Sequence, residues 1–146
     1  MKTTVRTLRC IITEMLMLEK AASRETWKDH IVHFLTGAIG EYYKAKLGEK
    51  NTLSVPQDIE HWYKEVRQLR DGARNAFKQK TKKNFNKEKA YKEACDELKE
   101  IDASMRRQAK YDIEKDYNTP VLVLISDKDT SDFWNMIDDF MLKSTL

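Results

Sequence analysis

Residues 24–48 read RETWKDHIVHFLTGAIGEYYKAKLG, and the spacing of their apolar side chains decides what fold the chain can build. Trp27, Ile31, Phe34, Leu35, Ala38, Ile39, Tyr42 and Leu47 recur mainly at intervals of three and four. That period turns one face of an α-helix toward a core. Ser23 precedes the run as an N-cap, and Gly48 follows it where glycine commonly ends helices. The stretch predicts a helix over 24–47. Gly37 and Gly40 lie inside it, each costing up to about 1 kcal/mol relative to alanine. Such a cost points either to the close approach of another backbone or to a local kink.

The same grammar extends in both directions. Upstream, Thr3 or Thr4 caps an amphipathic helix running to about Lys20, with Val5, Leu8, Ile12 and Met15 on its stripe and Ile11, Leu16 and Leu18 widening it. Downstream, GEKNTLSVPQD (48–58) is the one clear loop. Ser54 caps, Pro56 sits in the first turn and Asp58 complements the dipole of a helix carrying Ile59, Trp62, Val66, Leu69, Ala73 and Phe77. The pattern fades in KQKTKKNFNKEK (78–89) and restarts at Asn84 or Asn86 as a long helix through Ala90, Leu98, Ile101 and Ala109 toward Tyr117. One bent helix and a hairpin both fit the lysine-rich break, and the break favours the hairpin.

YNTPVLVLISDKDTSD (117–132) follows a different pattern. Pro120 and five consecutive apolar residues, Val121 to Ile125, predict a short buried strand over 121–126. Thr130 or Ser131 then caps a last helix over 131–143 with Phe133, Trp134, Ile137, Phe140 and Met141. A lone strand leaves backbone groups to satisfy. It can pair with an unrecognised strand, with the same strand of a second copy in a homodimer, or lie extended across helices, and the dimer is the preferred expectation. The predicted fold class is mainly α: one domain over 1–146, a bundle of four to five helices with one short C-terminal β-strand.

Composition agrees. The chain has 146 residues, enough for one core without staples. Three Trp, six Tyr and five Phe exclude a disordered chain, and only four Gly and two Pro favour long helices. No apolar run approaches the ~20 residues of a membrane span, and Arg6, Arg9 and Glu14 interrupt any secretory core. The expectation is a cytosolic chain with no membrane partner. Cys10 and Cys95 match no metal or redox spacing, which suits two reduced, buried thiols.

No catalytic or cofactor motif emerges. His30 and His33 lie about one helical turn apart, with His61 on the next helix and Asp29 or Glu25 nearby, but the pattern fits no metal motif and packed or surface histidines are preferred. Asp127, Asp129 and Asp132 lack the glycine and terminal glutamate of a calcium loop, so helix capping is their expected work. PVLVLISDKD is similar to a late strand of α/β-hydrolases, yet no Gly-x-Ser-x-Gly elbow accompanies it. The charge map says more. Residues 64–94 hold eleven Lys/Arg against four Asp/Glu, whereas 95–146 hold seven against twelve. Arg67, Arg70, Arg74, Lys78, Lys80, Lys82, Lys83, Lys87 and Lys89, interleaved with Phe77, Phe85 and Tyr91, are the residues a nucleic acid would meet. The preferred alternative is a solvated face that pairs with the acidic C-terminal third.

Two family resemblances add to this. TVRTLRCIITEMLMLE (4–19) resembles the N-terminal segment of many small proteins of large contractile-tailed phages, through Leu8, Arg9, Ile11, Ile12, Glu14, Leu16 and Glu19. Some such segments are head-targeting peptides cut after a Leu/Ile-x-Glu triplet, which implies Glu14 of Ile12-Thr13-Glu14 as a processing site. The resemblance implies a phage structural or accessory protein, in the host cytoplasm or the virion, that binds phage or host proteins without catalysis. Arg24 followed by His30 resembles the catalytic pair of the HEPN ribonucleases, with Glu25 where that motif has Asn, Asp or His. That resemblance implies Arg24 on the phosphate and His30 in acid–base cleavage of RNA.

Overall fold

A computed structural model of the chain describes residues 24–53, 55–78 and 86–143. The N-terminal segment with Glu14 and Cys10, the capping Ser54 and the lysines Lys80, Lys82 and Lys83 lie outside the described residues.

The stretch that predicted the fold forms its central rod. Helix α1 (Arg24–Asn51) buries Trp27, Ile31, Leu35, Ala38, Ile39, Tyr42, Tyr43 and Leu47. It runs through Gly48, four residues beyond the expected end. The left-handed residue that closes it is Thr52, at φ 49°. Thr52 N–H donates to Glu49 O (3.3 Å) and Leu53 N–H to Gly48 O (3.1 Å), the paired bonds of a Schellman motif. Glycine is preferred there because it lacks a Cβ, but it is not required, so Gly48 is free to be helical.

Helix α2 (Pro56–Lys78) starts at its proline, with Asp58 in the first turn, and packs antiparallel along α1. Two reciprocal contacts set the approach. A Cβ at Gly37 would lie 3.0 Å from Leu69 Cδ1, and one at Gly72 would lie 3.0 Å from Phe34 Cε1. Each glycine thus receives a large side chain from the opposite helix, where the cost of Gly37 suggests a close backbone or a kink. Trp27 Nε1 donates to Ala76 O (3.4 Å) at the far end.

The long helix expected from 86 to 117 is two helices, α3 (Lys87–Glu100) and α4 (Asp102–Tyr117). Asn86 caps α3, accepting from Lys89 N–H at 3.1 Å. Ile101 breaks the run: at φ −100°, ψ 10° its N–H turns back to Leu98 O. Both halves pack against α1, and the bend lets them follow it: Glu97 of α3 pairs with Lys28 (3.0 Å), while Asp112 of α4 approaches Lys44 (3.9 Å). Helix α2 ends at Lys78 and α3 begins at Lys87.

Helix α5 (Asp127–Asp138) begins four residues before the expected start. Ser126 and Asp129 form a reciprocal capping box, so of the three carboxylates expected to cap the helix Asp129 does so, while Asp127 pairs with Arg106 (3.1 Å) and Asp132 is exposed. A π-helical turn, Asp139–Lys143, continues it and puts Phe140 against Arg70 (4.2 Å to the ring centroid) and Arg74 (5.0 Å). All five helices feed one core. The mainly-α bundle is therefore as the sequence predicts.

The C-terminal strand is not. Among the described residues there is no strand, and residues 121–126 are an irregular segment, bent at Val123, that lies across helix ends. Only Val121 and Ile125 are buried, so the run is pinned at both ends and turned outward between them. Among the described residues no helix is long and apolar enough to cross a membrane.

Candidate protein-interaction surface

A segment with no ladder must still satisfy its backbone. Here helix side chains do that work. Asn51, the last residue of α1, accepts from Leu122 N–H and Val123 N–H with Oδ1 (2.9 Å each) and donates from Nδ2 to Val123 O (2.8 Å). The same Nδ2 donates to Leu47 O (2.9 Å), tying the clamp to its own helix. Glu114 of α4 accepts from Val121 N–H (2.9 Å), and Arg106 Nη1 donates to Ile125 O (3.3 Å). These bonds use the polar groups a β-ladder would need at Leu122 and Val123. The two-fold strand pairing expected from sequence is therefore deprived of its main donors.

What the clamp leaves outward is apolar. Leu122, Val123 and Leu124 are 85 %, 47 % and 54 % exposed, and Val55, four residues past Asn51, is also exposed. Three consecutive exposed aliphatic residues on a fixed backbone make a ridge. Isolated surface leucines need no explanation, whereas these three are contiguous on a held segment.

The base of the ridge is charged and buried. Asp129, 8 % exposed, forms an ion pair with Lys50 and accepts from Ser126 N–H and Oγ–H (2.9 Å each). Burial pushes its carboxyl up, but the Lys50 and Ser126 hydrogen bonds more than offset that, and the group stays below the usual carboxylate range. Tyr42 O–H donates to Asp129 O (3.3 Å), and burial together with the Asp129 charge pushes its phenol up to about 12. Beside it, Tyr43 donates to Asp102, which pairs with Arg106 Nε (2.6 Å). Arg106 Nη2 reaches Asp127 (3.1 Å) and Thr130 Oγ1 (2.8 Å). Burial and the Asp102 bond raise the Tyr43 phenol, which stays protonated as a donor. This constellation holds α1, α4, α5 and the ridge in one geometry.

The other predicted residues are dispersed. His30 stands edge-on to Phe34 (4.7 Å between centroids) in a half-buried position, and the exposed His33 lies 6.0 Å from the same ring. His61 approaches Glu65 (3.9 Å) on α2. Among the described residues no three His, Cys, Asp or Glu side chains gather to hold a metal. Arg24 and Glu25 open α1, and their side chains lie outside the described residues, so the Arg24–His30 pair has no described geometry. Asp29 is exposed on α1, and Asp132 is exposed on α5. Of the basic residues, Arg70 and Arg74 stack on Phe140 and Lys87 Nζ donates to Phe77 O (2.8 Å), closing the end of α2. Arg67, Lys78 and Lys89 are exposed. Acidic residues of the C-terminal third pair with α1, through Lys28, Lys44 and Lys50. Cys95 is buried, and burial pushes its thiol up to about 12. Asn51, Arg106 and Glu114 escaped sequence reasoning, because a polar side chain does not mark its backbone partner, whether 7 residues away as for Glu114, 19 as for Arg106 or 71–72 as for Asn51. Comparison with known protein families, curated proteins and solved structures finds no match.

Proposed function

We propose that the chain is a non-catalytic accessory or structural protein that binds another protein through the ridge Leu122–Leu124, and that it belongs to a contractile-tailed phage, acting in the host cytoplasm or the virion. The observation that carries the binding reading is the ridge itself: three exposed aliphatic side chains on a backbone held at four points by helix side chains. A surface already ordered loses little conformational entropy when a partner covers it, so most of the apolar burial goes into affinity. The phage context rests on Leu8, Arg9, Ile11, Ile12 and Glu14. The partner is a phage or host protein, or a second copy meeting side chain to side chain over Val121–Ile125.

Replacing Leu122 and Leu124 together with Asp tests the reading. Both lie outside the core, so helical content and melting temperature should stay near those of the parent, while self-association in sedimentation and retention of lysate proteins both fall at least ten-fold. Equal association and retention by the two proteins would defeat the reading.

Nucleic-acid binding is the second reading, favoured by the exposure of Lys78 and Lys89, which flank residues 79–85, and of Arg67 farther back on α2. The triple change Lys80→Glu, Lys82→Glu and Lys83→Glu should lower affinity and reduce the slope of log K against log salt by roughly 0.7–0.9 for each phosphate no longer neutralised. The absence of any shift of RNA or DNA by the parent protein at low salt would end it.

A further inference from the structure

Two cavities open along one face of α1. The upstream one, ≈ 590 Å³, lies between α1 and α2 over Val32, Gly37 and Leu69. The downstream one, ≈ 250 Å³, lies between α1 and α4 over Gly40, Met105 and Ala109. Thr36 and Gly37 line both, so a rod laid through the pair crosses α1 at Thr36, Gly37 and Gly40. The side chains at a crossing set how closely two helices approach, and α1 has its smallest ones there. Gly37 is explained by Leu69. Gly40 is not: a Cβ there would meet nothing within 4 Å. A glycine that weakens a helix and relieves no internal contact keeps space open for another backbone. Covering the crossing strands no hydroxyl, since Thr36 Oγ1–H already donates to Val32 O (2.6 Å).

Charge selects what such a rod carries. Asp29 lines the upstream cavity beside His33. Glu41 and Asp112 line the downstream one with Lys44, whose Nζ lies 3.5 Å from Glu41 and 3.9 Å from Asp112. Gln108 Nε2 donates to Asp112 Oδ1 (2.9 Å) and fixes that carboxylate at the rim. Three carboxylates against one lysine leave the lining negative.

We propose that the two cavities are a docking groove for a basic amphipathic helix of a partner protein. Apolar side chains of that helix enter the upstream cavity against Val32 and Leu69, and an Arg or Lys two to three turns away meets Glu41 and Asp112. From Asp29 to Lys44 the groove runs about 22 Å at 1.5 Å per residue, the length of about fifteen residues of the incoming helix. Met105 in the wall adapts its shape to the apolar side chains it meets. Helices seat in grooves by this division of labour, apolar anchors for affinity and rim charges for orientation. None of Leu122, Val123 and Leu124 lines the groove, so it is a second surface and goes beyond the binding reading of the ridge.

Selection from a display library of random helical peptides, sixteen residues long, against the full chain tests this. The enriched peptides should carry an apolar face with Arg or Lys two to three turns from its anchors. Gly40→Leu should lower their affinity at least ten-fold, with helical content and melting temperature no lower than the parent's, because nothing stands where the new Cβ goes. Asp112→Lys, a change at the rim, should lower it at least ten-fold as well. The paired changes Leu122→Asp and Leu124→Asp should leave it unchanged, which separates the groove from the ridge. Failure to enrich any peptide, enrichment of neutral or acidic ones, unchanged affinity for Gly40→Leu or Asp112→Lys, or loss of affinity in the ridge variant would each overturn the proposal. So would sedimentation in which the parent self-associates and Gly40→Leu does not, because the groove would then belong to a second copy.

Discussion

Asn51→Ala removes the clamp that replaces a β-ladder, and its effect can be worked from the geometry. Three bonds cross from Asn51 to the segment, at 2.9, 2.9 and 2.8 Å, and a fourth stays within α1. Net contributions of such bonds run about 0.5–1.5 kcal/mol each. Leu122 and Val123 are exposed, so water can reach the freed groups and the lower half of that range applies, about 1.5–3 kcal/mol for the three. Alanine returns about 0.5 kcal/mol through helix propensity. The expected loss is therefore about 1–2.5 kcal/mol of local stability, at the outer surface of the bundle. Native-state hydrogen exchange reads it directly: the Leu122 and Val123 amides should exchange roughly five- to fifty-fold faster, at 1.4 kcal/mol per decade. Amides of Ile31 and Leu35, deep in α1, should keep their parent rates. If the Leu122 and Val123 amides exchange as in the parent, the clamp does not hold the ridge.

Thr52→Gly should raise stability by about 1 kcal/mol in urea denaturation, because Thr52 holds a left-handed conformation that costs a β-branched residue about that much. Gly72→Leu should lower the melting temperature and cost about 2–3 kcal/mol, since even a Cβ at Gly72 sits 3.0–3.2 Å from the Phe34 ring, which His30 flanks. For Asp129 the folded carboxyl lies below its ordinary value. Its contribution is full above the unfolded carboxylate pKa, near 4, and is lost as pH falls through the folded value. Asp129→Asn should thus be less stable than the parent at pH 7, with the gap closing below about pH 4, in urea titrations at stepped pH. A gap that stays constant with pH would mean the Lys50 pair adds nothing.

Much of this architecture was open to reading because α2 carries one stripe at a clean helical period and α1 carries apolar residues at intervals of three and four, on more than one face. The failures have separate physical causes. Ile101 breaks a helix with neither glycine nor proline at the break, through a turn of its N–H to Leu98 O that both halves need in order to pack on α1. Gly48 was a false stop because Thr52 accepts the left-handed position. Val121 to Ile125 is an apolar run, and an apolar run does not reveal that only its ends are buried. The candidate surface follows from that last point. The same five residues that predict a buried strand become an exposed ridge once Asn51, Glu114 and Arg106, placed by tertiary packing, take over their backbone.

The most direct test of the central claim is site-specific photo-cross-linking on the full chain. A photoreactive phenylalanine at position 122, where the native leucine is 85 % exposed, is compared with the same residue at the exposed Gln68 of α2. In lysate and in purified solution, the ridge reading predicts a discrete protein adduct from position 122, either with a second copy or with one other chain, and none from position 68. Equal, diffuse labelling from both positions would contradict it.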